Sequence, residues 1–568
     1  MALEENWNSL PGMMLSLARR WPERSMLRFW REGAWREMSW AEYAMAVAAI
    51  AAGLRRRGVS PGDRVLIVSE NRPEFLIADT AIMAIGAVSV PTYTTNAVED
   101  HAHILRDSGA RTAIVSTPRL ARMVAEAAGI GGLDLLVAME DAENTVPWAE
   151  LASTPPDLAM LVAEVDHIPP GRLACLIYTS GTGGAPKGVM LPHRAMLANR
   201  HGVASFIGKL NLPADACYLS FLPLSHAYEH TVGGFLLPSF GIQVVYSRGA
   251  DRLAAELQSL RPAVLTAVPR LFEVLRARIL AGLEKESPFR RRMFEAALRL
   301  GLRKLDGPSL SPWEQLQDAV LEHLVRRKVR ARFGGRMVAL VSGGARLDPG
   351  LSGFFIALGL PLIQGYGQTE AGPVISVNVP WDNRRHTVGK VLDGVEARIA
   401  ADGEVLVRGD LVMDGYWNNP EATAKALLDL RDGGAPWLHT GDLGEISQGY
   451  LRITDRKRDI IKTSGGDMVS PAKIEGMLMA EPEIALAVVA GEGRPAIAAL
   501  LVPAEGQEDR VPDAVARVNA RLSSVERVRH SLVVPPFTVE NGMLTPTMKI
   551  RRRAVLEAHA AALDRLYA

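Results

Sequence analysis

From residue 60 onward, short runs of branched apolar residues alternate with longer segments of helical length. RVLIVS (64–69) is followed by PEFLIADTAIMAIG, AVSVP, VEDHAHILRDSG and TAIVS (112–116). Strand, helix and strand joined by short links predict a parallel α/β sheet. Asn96 with Glu99 three residues later predicts the start of a helix. The most apolar stretch, FLIADTAIMAIGAVSVP (75–91), carries Asp79 and stops at Pro91. It falls short of the roughly 20 apolar residues that cross a bilayer, so it reads as a core helix entering a buried strand. The alternation resumes with VVYS (244–247), AVLTAV (263–268), MVALVSGG (337–344) and PLIQGYG (361–367).

A chain of 568 residues exceeds what one hydrophobic core usually organises. After about residue 395 the text changes to short strands, VEARIA, EVLVRG and LRITDR, punctuated by Gly and Asp, which predicts a small antiparallel part. From 459 onward a helix (AKIEGMLMAEP), two strands (ALAVVAGEG, AIAALLVP) and a helix (DAVARVNARLSS) predict a compact α+β unit. The joint falls near TDRKRD (454–459), giving an N-terminal domain over 1–457 and a mobile C-terminal domain over 458–568. The expected fold class is α/β: a large lobe of mixed and parallel sheets with flanking helices, a small antiparallel part, and the small domain. Residues 270–335 form an arginine-rich helical tract, containing RRRMF and RRKVRARF. Its first reading is a solvated helix face, its second an attraction to an anionic membrane or ligand tail.

A formal net charge of +1 gives no global support for nucleic-acid binding. Two cysteines, Cys175 and Cys217, are too few for a disulfide framework and lack metal-site spacing, which fits a reducing compartment. The acidic, polar start MALEENWNSLPG does not read as a signal peptide. A cytoplasmic protein is expected; a peripheral position on the inner face of a membrane and a homodimer are both compatible.

The chemistry concentrates in YTSGTGGAPKGVML (178–191), after the apolar run LACLIY. Successive N–H groups of a glycine-rich turn make a nest for anionic oxygens, and Gly181, Gly183 and Gly184 let a ligand approach closely. Thr179, Ser180 and Thr182 add hydroxyls and Lys187 a mobile cation, so phosphate is the expected ligand. Gly188 after Lys187 excludes a Walker A loop, and Pro186 excludes a dinucleotide fingerprint.

YTSGTGGAPKG resembles the phosphate loop of the adenylate-forming superfamily, which holds acyl-CoA synthetases, luciferases and peptide-synthetase adenylation domains. Gly183 stands where the family usually has a second threonine. SGGARL (342–347), QGYGQTEAG (364–372), LHTGDLG (438–444), DRKRDIIKTSGGDMVSP (455–471) and LTPTMKIRRR (544–553) follow in the family's order. ILRDSGAR, VPRLFE, GEGRP and FTVENGMLTPTMKIRRR resemble the long-chain fatty acid branch, which also carries extra helices where the arginine-rich tract lies.

The resemblance implies ATP-dependent joining of a fatty acid to coenzyme A through acyl-AMP, with Mg2+. It implies that Lys549 bridges carboxylate and phosphate during adenylation, that Glu370 binds magnesium with help from Thr179, and that Thr369 donates to the α-phosphate. Tyr366 would face adenine, Asp442 and Arg456 would hold the ribose, and Gly343, Gly344 and Ala345 would pass close to nucleotide and acyl group. His226 would close the carboxylate end of the acyl pocket. Lys462, Gly465 and Gly466 would face the site when the thiol arrives, after rotation about Arg458. Three other readings stay open at this stage: an acyl-AMP ligase serving a separate carrier, a ligase for a medium-chain or aryl acid, and luciferase chemistry. From a different class, His226, Glu229 and His230 match the H-x-x-E-H order of zinc peptidases.

Overall fold

The computed structural model describes residues 6–179, 185–430, 432–545 and 549–567. The chain divides into a large unit (Met1–Leu347, Leu351–Ala397, Val407–Leu438) and a small one (Asp348–Gly350, Arg398–Leu406, His439–Ala568).

The large unit carries the alternation read from the sequence. Strands Arg64–Val68, Val88–Thr92, Thr112–Val115 and Leu135–Ala138 run parallel, with helices Pro73–Ala84, Val98–Ser108 and Pro118–Ala128 as the crossovers. All twelve residues of Pro73–Ala84 are buried, as befits a helix that is apolar on every side. The helix start lies one residue past the expected box: Ala97 is the N-cap, its N–H donating to Asp100, while Asn96 donates to Thr92 Oγ1 at 2.7 Å. At one side of this sheet, strand Leu173–Thr179 pairs with Val88–Thr92, then turns back antiparallel into Lys187–Pro192, against which Gly415–Tyr416 lies. A second sheet runs parallel from Ser25–Arg31 through Gln243–Tyr246, Cys217–Ser220, Val264–Ala267 and Ala339–Ser342 to Leu362–Gly367. It then turns antiparallel into Val374–Val377.

The arginine-rich tract is helical, as helices Pro269–Glu284, Pro288–Asp306 and Pro312–Leu321, the last continuing through Glu322–Arg326 into Arg327–Arg332. One of its arginines is not solvated at all. Arg326 is buried, donating to the carbonyls of Ala297 at 2.8 Å and Ala357 at 2.7 Å and pairing with Asp318 at 2.7 Å.

A long strand absent from the sequence reading, Trp437–Ser447, lies in the small unit for all but its first two residues and there pairs antiparallel with Tyr450–Arg456. Beyond it, Ile484–Ala490 lies antiparallel to Ile497–Pro503, and a third strand, Val528–Val533, joins parallel. The run AIAALLVP is apolar throughout because both its faces are covered. Ala499 and Leu501 pack with helices Pro471–Met479 and Val511–Asn519, while Ala498, Leu500 and Val502 pack with Val555 and Leu563 of the C-terminal helices. No helix among the described residues is long and apolar enough to cross a membrane.

Candidate active site

Thr179 and Lys187, at the two ends of the glycine-rich segment, are cross-strand partners in an antiparallel pair. Ser180, Gly181, Thr182, Gly183 and Gly184 lie outside the described residues. The lysine at its end is placed by an aromatic ring: the Lys187 ammonium stands 5.0 Å from the centre of the Tyr416 ring, a cation–π distance. The Tyr416 hydroxyl donates to Glu370 Oε1 at 2.8 Å, and Met413 N–H donates to the Glu370 carbonyl at 3.0 Å. Lys187 and Glu370, singled out from motifs some 180 residues apart, are thus joined through Tyr416, which the sequence reading did not pick out. Its signal lay in DGYWNNP, an aromatic set among turn residues.

Thr369 and Glu370 open a short 3-10 helix just after strand Leu362–Gly367, which carries Tyr366. This turn is pinned from below by Asn199, fully buried on helix His193–Ile207 and also missed in sequence. Its side-chain carbonyl accepts from Val374 N–H at 2.7 Å and its amide faces the Ala371 carbonyl at 3.4 Å. Thr231 adds a bond to the Gly372 carbonyl at 3.3 Å.

SHAYEH and SGGAR also meet. A Cβ on Gly343 would stand 3.0 Å from Tyr228 Cε1, so a larger residue here would press on the protein's own ring before any ligand arrives. Gly344 has φ +79°, and Ala345 is exposed. His226 caps the turn Ala227–Glu229, with Nδ1 accepting from Tyr228 N–H at 3.2 Å. The other two members of the H-x-x-E-H pattern are committed elsewhere. Glu229 is buried among the hydroxyls of Tyr218 (2.6 Å), Ser220 (2.6 Å) and Thr266 (3.2 Å), and burial pushes its carboxyl up to about 7 despite those donors. His230 Nε2 lies 3.0 Å from the buried Asp79 carboxylate. Among the described residues no three His, Cys, Asp or Glu side chains group as a metal site.

In the small unit, Asp442 and Arg456 are cross-strand partners with Nε and Oδ1 3.3 Å apart. Arg458 lies exposed in the turn that follows. Its neighbour Lys457 is tied to Asp402 at 2.6 Å and Glu404 at 2.9 Å, and Glu404 also holds His439 at 3.0 Å and Gly441 N–H at 2.8 Å. Lys462, Gly465 and Gly466 sit on an exposed turn between strands Ile461–Lys462 and Met468–Val469, with Gly466 at φ +89°. Lys549 occupies a different loop, closed by Thr545: Thr545 N–H donates to the Lys549 carbonyl at 2.8 Å, and Lys549 N–H donates to Thr545 Oγ1 at 3.0 Å. Arg552 anchors the end of that loop, donating to the Val489 carbonyl at 2.6 Å and to Glu475. The Lys549 side chain keeps some exposed surface, yet burial, and then the nearby Arg456 charge, pull its ammonium down to about 8.

One carboxylate and one lysine brought together through Tyr416, with Lys187 at the end of a glycine-rich segment, suit a nucleotide-activating class of enzyme. The family comparisons agree. The model for "AMP-binding enzyme" matches residues 16–417 and that for "AMP-binding enzyme C-terminal domain" matches 458–568. The chain belongs to the AMP-binding enzyme family. It is 35% identical over 553 residues to long-chain-fatty-acid–CoA ligase FadD15 of Mycobacterium tuberculosis, covering 91% of this chain and 90% of the relative. With the peroxisomal long chain acyl-CoA synthetase 6 of Arabidopsis thaliana it shares 31% identity, over 91% of this chain and 80% of that one. The same fold is seen in anthranilate CoA ligase AuaEII in complex with anthranoyl-AMP (TM-score 0.74, 21% identity, 99% of each chain). It recurs in the o-succinylbenzoate CoA synthetase MenE of Bacillus subtilis with AMP (TM-score 0.71, 21% identity, 96% and 97%).

Proposed function

We propose that this chain activates a long-chain fatty acid with ATP to acyl-AMP and passes the acyl group to coenzyme A, releasing AMP and pyrophosphate. The observation that carries this reading is the 35% identity to a long-chain-fatty-acid–CoA ligase over nine-tenths of both chains.

The first step brings two anions together, so fixed positive charge must meet the charge developing on phosphorus. Lys187 and the glycine-rich loop (Ser180, Gly181, Thr182, Gly183, Gly184) serve the outer phosphates, and Lys549 the α-phosphate and the attacking carboxylate. Thr369 donates to the same phosphate, Tyr366 faces adenine, and Asp442 with Arg456 takes the ribose hydroxyls. Glu370 would hold magnesium, assisted by Thr179. The fit is chemical: the Tyr416 hydroxyl engages one oxygen of Glu370 and orients the carboxylate. A single carboxylate with a nearby hydroxyl suits Mg2+, a hard cation of oxygen ligands, which would supply charge neutralisation at the phosphates when bound. Gly343, Gly344, Ala345 and His226 border the acyl group. After adenylation, rotation about Arg458 (the boundary between domains 1–457 and 458–568) brings Lys462, Gly465 and Gly466 forward for the thiol. The protein works in the cytoplasm at the inner face of a membrane, where its acid is dissolved.

Thiol-dependent AMP release across short, medium-chain, aryl and long-chain acids tests the reading. Long-chain acids should give the highest kcat/KM. A preference for aryl or medium-chain acids, or AMP release that ignores the thiol, overturns it.

A further inference from the structure

Helix Pro312–Leu321 and its continuation to Arg332 turn one side to the core and the other outward. Leu321 and Val325 join the hydrophobic core, and Arg326 is buried beside them. On the outer side Trp313, Leu316, Val320 and Leu324, spaced three and four residues apart, are 67%, 57%, 49% and 45% exposed. Single exposed apolar residues need no explanation, but four in one stripe along a helix do.

The charge around the stripe says what covers it. Residues 285–332 hold twelve Lys and Arg against six Asp and Glu, in a chain whose net charge is +1. Four of these six acids are already matched within the segment, Glu286 with Arg290, Glu314 with Arg303, Asp318 with Lys304 and Arg326, and Glu322 with Arg330, and Asp306 pairs with Arg385 outside it. Arg292, Arg299, Arg327 and Lys328 are exposed and make no ion pair among the described residues. Phe289, 71% exposed, begins the neighbouring helix beside Arg290 and Arg291. A second copy of the chain would set one basic surface against another across a two-fold axis, so self-association is disfavoured. An apolar stripe with an aromatic end and surplus arginines suits the boundary between acyl chains and anionic headgroups.

We infer that the outer side of helix Pro312–Leu321 and its continuation is a membrane-docking surface, with Trp313, Leu316, Val320 and Leu324 entering the interface and Arg327 and Lys328 on anionic headgroups. This deepens the proposed function by naming the surface through which a water-poor acid would be reached. Its test does not depend on catalysis.

The whole protein is floated with vesicles of phosphatidylcholine alone and of phosphatidylcholine and phosphatidylglycerol in equal parts, without fatty acid. Wild type should float with the mixed vesicles and be released by salt. Replacing Trp313, Leu316, Val320 and Leu324 together by Ser should lower partitioning at least about tenfold. Arg327→Gln with Lys328→Gln should lower it about tenfold or more. AMP release with a dissolved medium-chain acid should stay at the wild-type level in both variants, which verifies the fold and the separate claim about activity. Absence of wild-type binding, equal binding to both vesicles, or flotation unchanged by either variant overturns the proposal. So does a change in sedimenting mass with no change in flotation, which would assign the stripe to a second copy.

Discussion

The two candidate phosphate-facing lysines are framed in opposite ways. Lys187 begins a strand in the large unit, over the ring of a tyrosine that is itself bonded to Glu370. Lys549 sits in a loop of the small unit, closed by Thr545 and anchored by Arg552, with its ammonium pulled down to about 8. One is held by sheet register, which cannot drift without unpairing a strand. The other is held by a few local bonds, and the proposed rotation about Arg458 would carry it along. Charge needed throughout the cycle belongs on the first kind of frame, and charge needed for one step belongs on the second.

The sharpest way to break this contrast is Lys549→Ala. Acid-dependent pyrophosphate exchange should fall by about 10³-fold, the scale of losing one charge-stabilising donor. Thioester formation from preformed acyl-AMP should be little changed. Equal loss in both steps would mean that the lysine is structural. Next comes Arg458→Pro, which fixes φ near −65° at the proposed hinge. Thioester formation should drop about a hundredfold, as when reacting groups are misplaced, while exchange persists. Survival of both steps would move the hinge elsewhere.

A third effect follows from the lowered Lys549 ammonium. The cation is present below pH 8 and is lost as pH rises through about 8. The exchange rate should therefore be about tenfold lower one unit above that value, and Lys549→Arg should carry the falling limb to higher pH. A wild-type limb unmoved by Lys549→Arg would assign it to another group. The smallest effect is expected at Tyr416→Phe, which removes the donor to Glu370. A lost hydrogen bond of about 1 kcal/mol lowers exchange about fivefold, read as a higher magnesium requirement. No change would mean that Glu370 is oriented without it.

The parallel core was legible because strand and helix differ in length and period, and helix Pro73–Ala84 was recognisable from its apolar content alone. Strand Trp437–Ser447 was not, since its Gly, Asp and Thr residues lack the branched apolar pattern of a strand and the pairing with Tyr450–Arg456 makes it one. Val528–Val533 was hidden likewise by its Arg, His and Ser. Among site residues, those with reactive side chains in motifs were readable. Tyr416 and Asn199 were not, because what they do depends on Glu370, Lys187 and Val374 being brought to them by the fold. Gly343 was legible as a close approach but not for its partner, Tyr228.

The Thr179–Lys187 pairing has a consequence for how such a chain can vary over evolutionary time. Both strands are registered on their neighbours, Leu173–Thr179 on Val88–Thr92 and Lys187–Pro192 on Gly415–Tyr416. Inserting or deleting one residue between them and absorbing it by a slip of register would send Lys187 to the other side of the sheet, away from Tyr416. The number of residues between Thr179 and Lys187 is thus constrained by the pairing of the flanking strands, independently of which residues fill it.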